Sequence, residues 1–169
     1  MHEQEQKQIF DNWLNQHKGI LFKIVRAYAF NAHDRDDLFQ EIALQLWRSI
    51  PDFRGEAKVS TWIYRVALYT ASAWTRREKK QPSTEPLVAM AQTLTVMEQP
   101  SDARVEWLYE QIARLDPIDR SLCLLMLDGF SYKEMAEMLG ISEGNVGVKI
   151  HRIKKRLVGQ VREGVQHGH

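Results

Sequence analysis

Apolar residues recur at three- and four-residue steps along most of this chain, which is the spacing of amphipathic helices. The clearest early example predicts one helix whose apolar side carries Phe10, Trp13, Leu14, His17, Leu21, Ile24, Val25 and Tyr28. We find no stretch with the strict alternation of a half-buried strand. The pattern therefore predicts an all-α fold.

Two more helices are predicted before residue 80. After a short break, Asp34 is expected to cap the second helix, because its carboxylate can accept an orphan backbone N–H. The apolar stripe of that helix consists of Leu38, Ile42 and Leu46. The composition of residues 51–58 predicts a loop. A third long helix is expected to begin at Ser60 or Thr61 and to end in a basic run.

Proline and small polar residues interrupt the helical pattern after residue 80 and predict a linker. A second helical block follows, in which Asp116 and Pro117 are expected to open a helix, since proline is favoured in a first turn. Each block has enough apolar helices for a small core of its own. The predicted division is a helical domain at 1–80, a flexible linker at 81–104, a second helical domain at 105–163 and a tail at 164–169.

The segment 131–156 predicts a helix-turn-helix. Ser131 and Glu134 have the spacing of a capping box at the start of the first helix. Gly140 is suited to end that helix, and Ser142 is suited to cap the second. The apolar stripe of the second helix is Val146, Ile150, Ile153 and Leu157.

The face opposite that stripe is basic. Residues 144–162 contain six Lys or Arg and no acid, although the whole chain carries a net charge of only +1. Candidate DNA contacts on this face are Ser142, Asn145, Val148, Lys149, His151, Arg152, Lys155 and Arg156. Asn145, Lys149 and Arg152 suit base edges in the major groove, and Lys154, Lys155 and Arg156 suit phosphates. The alternative is a solvated basic face on an ordinary helix pair.

The first block carries two further patterns. Asp37 and Glu41 are four residues apart and share a helix face with Gln40, although this pattern alone is also that of a solvated helix start favoured by the helix dipole. The third helix interleaves aromatic residues with Arg65, Arg76 and Arg77, an arrangement suited to stacking with unpaired bases. The alternative is that most of these rings belong to the core.

Three segments, taken in order, resemble the extracytoplasmic-function (ECF) sigma factors of the main bacterial sigma family. Asp36–Ile42 is similar to the helix that binds the polymerase clamp. Phe53–Ala67 is similar to the segment that opens and recognises the minus-ten promoter element, and Gly129–Arg156 to the domain that recognises the minus-thirty-five element. The resemblance covers nearly the whole chain, with a linker where the family has one.

The resemblance implies a factor that binds core RNA polymerase and directs promoter-specific transcription initiation, without catalytic residues, cofactor or metal of its own. The implied polymerase contacts are Asp37, Leu38, Gln40 and Glu41. The implied minus-ten contacts are Phe53, Arg54, Gly55, Lys58, Trp62, Tyr64, Arg65, Tyr69, Arg76 and Arg77. The basic helix-turn-helix face would contact minus-thirty-five DNA. A role in a stress response and control by an anti-sigma factor, often membrane-tethered, are also implied.

The chain departs from the family pattern at two places. Many members have Asn where this chain has Tyr69, and a tyrosine can stack but cannot reproduce the paired donor and acceptor of an amide. In the second helix of the helix-turn-helix, Gly147 removes a side chain from the expected DNA-facing surface and permits close backbone approach, at some cost in helix stability.

Other classes of protein are less consistent with the sequence. One rival is a helix-turn-helix activator or repressor whose first block is a sensor or dimerisation domain. Another is an enzyme with a metal held by Asp34, Asp36, Asp37 and Glu41, but no Cys/His cluster or nucleophile motif supports it. The one cysteine, Cys123, excludes a disulfide within the chain and is expected to be buried. We expect a cytoplasmic protein without membrane insertion, because no apolar run is long enough to span a bilayer.

Overall fold

The computed structural model describes residues 1–78 and 103–166, and the α-helices it contains there confirm the predicted all-α fold. The chain divides into two compact units, Met1–Ala103 and Arg104–His169. The helices are α1 (Glu3–Tyr28), α2 (Ala32–Ser49), α3 (Val59–Glu78), α4 (Ala103–Ala113), α5 (Pro117–Leu127), α6 (Tyr132–Leu139) and α7 (Glu143–Gln166), with a 3₁₀ turn at Ile50–Asp52. The predicted linker lies almost wholly outside the described residues.

The first unit is a three-helix core in which α1, α2 and α3 all contact one another. The predicted stripe of α2 is buried, as are the inward residues of α1 and α3. The side chains that fill this core include Leu21, Ile24, Leu38, Ile42, Leu46, Ile63 and Leu68. Helix α1 changes direction at His17, where the backbone leaves helical geometry. The apolar periodicity therefore predicted the buried face of α2 correctly, and that of α1 at Trp13 and from Leu21 onward, whereas Phe10, Leu14 and His17 are half-buried.

The start of α2 corrects one prediction. Asn31, not Asp34, is the cap: its side-chain oxygen accepts the Asp34 backbone N–H at 2.8 Å. The Asn31 amide also donates to the Asp34 carboxylate at 2.9 Å. Asn31 has the extended backbone that a cap requires, and Asp34 already lies inside the first turn. Helix α3 likewise begins at Val59, just before the predicted start.

In the second unit, α5 begins as predicted. The Asp116 side chain accepts the Asp119 backbone N–H at 2.9 Å, and Pro117 occupies the first turn. Cys123 is buried on this helix, as expected. Burial, with a further contribution from the charge of Asp119, raises the pKa of the Cys123 thiol to about 11. Cys123 therefore has the buried setting of a structural cysteine.

Helices α6 and α7 form the predicted helix-turn-helix. Both halves of the Ser131–Glu134 capping box are present. Gly140 ends α6 with φ of +70°, a left-handed conformation that favours glycine. The Ser142 hydroxyl oxygen accepts the Asn145 backbone N–H at 3.1 Å at the start of α7. The buried side of α7 is formed by Val146, Ile150 and Ile153. No helix among the described residues is long and apolar enough to cross a membrane.

Candidate polymerase and nucleic-acid interfaces

The acidic face of α2 is defined by Asp37, Gln40 and Glu41, which lie toward solvent in the first unit. Leu38, the fourth residue assigned to polymerase contact, is fully buried and belongs to the core. The helical repeat explains this split, because position 38 lies on the stripe shared with Ile42. The structure therefore brings three of the four assigned side chains together on one surface.

The two carboxylates of this acidic face are tied to α3. The indole N–H of Trp74 donates to Asp37 at 2.8 Å, and Trp74 itself is buried. A guanidinium N–H of Arg77 donates to Glu41 at 2.8 Å in a partly exposed ion pair. Arg77, which the sequence assigned to DNA, thus lies beside the acidic face of α2. These contacts restrict the rotamers of both carboxylates before any partner arrives.

Leu44 is a surface residue that the sequence analysis missed. It is 46% exposed and lies one helical turn beyond Gln40. An exposed leucine among polar neighbours suits the apolar centre of a protein interface. The exposure of Leu44 could have been predicted from the helical spacing, because Leu44 is the one leucine of α2 outside the buried stripe.

Three aromatic rings anchor the loop between α2 and α3. The Phe53 ring lies edge-on to Trp13 and to Trp62, with both centroid separations at 5.4 Å. The Trp62 indole N–H donates to the Ser49 hydroxyl at 3.1 Å. Such edge-to-face pairs stabilise beyond their buried area. Phe53 and Trp62 therefore hold the loop in place, and they are only partly accessible themselves.

The cations of that loop point to solvent. Arg54 and Lys58 are exposed, and Gly55 has φ of +74°, so the chain turns sharply between them. The loop therefore presents positive charge and bare backbone on a base fixed by aromatic packing.

Helix α3 separates its aromatic residues into core and surface. Tyr64 is 1% exposed, whereas Tyr69 is 74% exposed. Arg65 and Arg76 are also exposed, and the spacing of 65, 69 and 76 places all three on one side of the helix. We call Arg65, Tyr69 and Arg76 the α3 stripe. Tyr64 can support this stripe from the core but does not itself reach the surface.

The outer face of α7 is exposed as the sequence predicted. The exposed candidates here are Ser142, Asn145, Val148, His151, Arg152, Lys155 and Arg156. Val148 is 52% exposed, which gives the basic face one apolar element suited to a thymine methyl group. A Cβ added at Gly147 would lie 3.7 Å from the Tyr132 ring, an ordinary contact. Packing within the protein therefore does not require glycine there.

Lys149 is the one partly buried member of this face, and it has an acidic neighbour on α5. Its Nζ lies 3.9 Å from Oδ1 of Asp119. Burial, followed by the charge of Asp116, raises the pKa of the Asp119 carboxyl, while Lys149 and Arg152 act in the opposite direction. Asp119 is not predictable from the sequence, because no local pattern links the start of α5 to the middle of α7.

The described residues contain no group of three or more His, Cys, Asp or Glu side chains that could hold a metal ion. The acidic start of α2 is accounted for by other partners: the Gln40 amide donates to Asp36 at 2.7 Å, and Asp37 accepts from Trp74. The geometry gives no support to the metalloenzyme rival.

The described helices form a basic helix-turn-helix in one unit, and an acidic face and an aromatic and basic stripe in the other. These are the surfaces expected of a transcription initiation factor. The family models agree. Residues 13–81 match the sigma-70 region 2 model, and residues 105–157 match the sigma-70 region 4 model. A Bacillus subtilis RNA polymerase sigma factor, YlaC, is 30% identical over 127 residues, covering 72% of this chain and 73% of YlaC. The chain belongs to the sigma-70 family and is an RNA polymerase sigma factor of the ECF type.

Further relatives extend the similarity to almost the full length. The ECF sigma factor SigM of Mycobacterium tuberculosis is 27% identical over 161 residues, covering 92% of this chain and 80% of SigM. Among solved structures, the sigma factor RpoE in complex with the anti-sigma factor NepR from Bartonella quintana gives a TM-score of 0.70 at 16% identity, covering 92% of this chain and 98% of RpoE. CnrH in complex with the cytosolic domain of CnrY gives a TM-score of 0.63 at 21% identity, covering 93% of this chain and 90% of CnrH. At these identities the structural likeness supports the fold.

Proposed function

We propose that this sigma factor divides promoter recognition among three surfaces: the acidic face of α2 for core RNA polymerase, the loop 53–58 with the α3 stripe for the minus-ten element, and the outer face of α7 for the minus-thirty-five element. The observation that carries the proposal is the exposed basic face of α7 on a helix-turn-helix, in a chain that matches both sigma regions in order. The regulator rival accounts for α7 but leaves the first unit unexplained.

Core polymerase binds the acidic face of α2. Asp37 and Glu41 are pre-oriented by Trp74 and Arg77, so less side-chain entropy is lost when a basic partner engages them. Leu44 adds the apolar contact that a charged surface by itself lacks. Leu38 contributes from the core by fixing the rotation of α2.

Minus-ten recognition uses the loop and the α3 stripe. Unstacking a base costs a few kcal/mol, which stacking and a protein pocket can offset. Tyr69 offers an exposed ring for stacking, while Arg54, Lys58 and Arg76 attract the backbone of the separated strand. Phe53 and Trp62 act indirectly, by keeping the loop rigid.

Minus-thirty-five recognition uses α7. Its N-terminal half enters the major groove, where Asn145, Lys149 and Arg152 donate to base edges and Val148 contacts an apolar group. Lys155 and Arg156 bind phosphates further along the helix. The Ser142 hydroxyl, which already caps α7, lies where a phosphate can also approach the helix N-terminus.

An anti-sigma factor, membrane-tethered or free, controls access to these surfaces. The neighbouring structures of RpoE with NepR and of CnrH with CnrY support this expectation for the fold. The polymerase partner places the protein in the cytoplasm, and a stress signal that releases the anti-sigma factor would activate it. The polymerase supplies all of the chemistry, so this chain needs no catalytic residue.

The test is assembly of the full chain with purified core RNA polymerase, followed by sequencing of the transcripts made from genomic DNA. We expect a stable complex and initiation from a defined set of promoters that share two elements. Sequence-specific DNA binding as a dimer, without polymerase binding, would instead establish the regulator.

A further inference from the structure

We propose that Asp119 is a positioning residue that sets the specificity of upstream recognition by restraining Lys149. The inference rests on the proposed role of α7 in binding DNA. It assigns a function to a residue outside the helix-turn-helix, on the first turn of α5.

The geometry is that of an ion pair without a hydrogen bond. Oδ1 of Asp119 lies 3.9 Å from Nζ of Lys149, which is too long for a hydrogen bond. The two side chains are 25% and 24% exposed, so solvent screens their attraction only in part. The ammonium is therefore drawn toward α5 while all its N–H donors stay available to a ligand.

The pair is poorly explained as a stabilising contact. Oδ1 of Asp119 is buried and accepts no hydrogen bond from any residue that the structure describes, an arrangement that costs folding free energy. Burial and the adjacent Asp116 both raise the pKa of this carboxyl, so the site resists holding the charge. The helix dipole favours an acidic residue in this first turn of α5, but burial opposes the charge. The further effect of aspartate here is the negative field that it places beside Lys149 and Arg152.

That field has opposite effects on the two ways in which α7 binds DNA. Non-specific affinity comes from cations that neutralise phosphates, and a carboxylate beside Lys149 weakens this contribution. Specific affinity comes from donors placed at base edges, and a lysine restricted to fewer rotamers loses less entropy there. Asp119 thus lowers binding to all sequences and raises the discrimination among them.

The test compares wild-type and Asp119→Asn proteins, each as the full chain assembled with core polymerase. The probes are a promoter duplex identified by transcript sequencing and the same duplex with its upstream element scrambled. We expect Asp119→Asn to tighten binding of the scrambled duplex by about fivefold, the scale of one partly exposed ion pair. The preference for the intact element should fall by a similar factor. The slope of log K against log salt should steepen by about 0.9, the value for one added phosphate contact.

Two controls separate positioning from a general charge effect. Glu110→Gln removes one exposed negative charge from α4. It should leave unchanged both the salt slope and the ratio of the affinities for the intact and scrambled duplexes. In a Lys149→Gln background, the effect of Asp119→Asn on the slope should be much smaller, because only the weaker interaction with Arg152 remains. Equal effects with and without Lys149, or an unchanged ratio and slope in the folded single variant, would overturn the proposal.

A second measurement keeps the proposal testable should Asp119→Asn fail to fold. Carboxyl NMR of the full chain should show that Asp119 titrates at higher pH in Lys149→Gln than in wild type, because the lysine lowers its pKa. An identical titration would mean that the two groups are not coupled. A wild-type holoenzyme with no preference for the intact upstream element would instead contradict the proposed function of α7.

Discussion

The two charged surfaces of this sigma factor differ in how they are held. The carboxylates of the acidic face of α2 accept hydrogen bonds from α3, through Trp74 and Arg77. The outer face of α7 projects its side chains to solvent. The ionic contact that it makes among the described residues, Lys149 with Asp119, is too long for a hydrogen bond. Asp37 and Glu41 should therefore contribute to both folding and binding, whereas the exposed side chains on the outer face of α7 should contribute to binding alone.

The largest effect is expected from Asp37→Ala combined with Glu41→Ala. Polymerase binding should weaken by about 2–4 kcal/mol, as for paired charges lost from an interface. The free energy of unfolding should also fall by about 1–2 kcal/mol, because the Trp74 indole loses its partner. Titration calorimetry with core polymerase measures the loss of affinity, and urea unfolding measures the loss of stability. The matched control is Glu3→Ala with Glu5→Ala on exposed positions of α1. Unchanged polymerase affinity would remove the α2 assignment.

Arg152→Ala should cost about 1–3 kcal/mol of binding at one base pair of the upstream element, with no loss of folding stability. The expected contrast with α2 follows from the exposure of Arg152. The loss at each base pair is measured from the affinities of the wild-type and Arg152→Ala proteins for promoters with single base-pair substitutions. Arg114→Ala is the exposed control in the same unit. Equal weakening for every sequence would make Arg152 a phosphate contact.

Leu44→Ala tests whether an α2 residue that makes none of the carboxylate contacts contributes to binding but not to folding stability, as expected for the outer face of α7. Polymerase affinity should fall by about 1–2 kcal/mol, while the melting temperature stays unchanged, because the side chain is largely exposed. Leu127→Ala, which truncates an exposed leucine of the second unit, is the control. A loss of stability without a loss of affinity would assign Leu44 to packing.

Gly147→Ala should stabilise the second unit by about 0.5–1 kcal/mol, because alanine favours helix and its Cβ meets only an ordinary contact with Tyr132. If DNA approaches the α7 backbone closely at this point, upstream binding should weaken at the same time. Gly159→Ala on the same helix should give the stability gain alone. Thermal unfolding and promoter binding distinguish them, and unchanged DNA affinity in Gly147→Ala would place the groove elsewhere.

The smallest effect concerns pH. A carboxyl whose pKa is raised by folding stabilises the protein below its unfolded pKa and loses that contribution as pH rises through the folded value. Since burial raises the pKa of Asp119, Asp119→Asn should be slightly more stable than wild type at neutral pH, by less than any of the effects above. The gain should fade as pH falls through the carboxyl range. A gain that persists at acidic pH would point to a cause other than charge.

Local sequence patterns gave much of the fold. The Ser131–Glu134 capping box, the end of α6 at Gly140 and the cap at Asp116 were all predictable, because each depends on residues within one turn of each other. The error at Asp34 arose at the same scale, where Asn31 and Asp34 compete for one helix start. Cap identity depends on which residue leaves helical geometry, and composition alone does not decide that.

The sequence by itself determined the all-α class, the order of the helices, the buried stripes and the family, because these follow from periodicity and from motifs that are contiguous in the chain. Only the tertiary structure decided which side chains of those motifs reach the surface. It buried Tyr64, joined Asp37 to Trp74, and placed Asp119 beside Lys149. These relations depend on how each helix is rotated against its neighbours. That rotation is set by packing between residues distant in sequence, which local spacing does not encode.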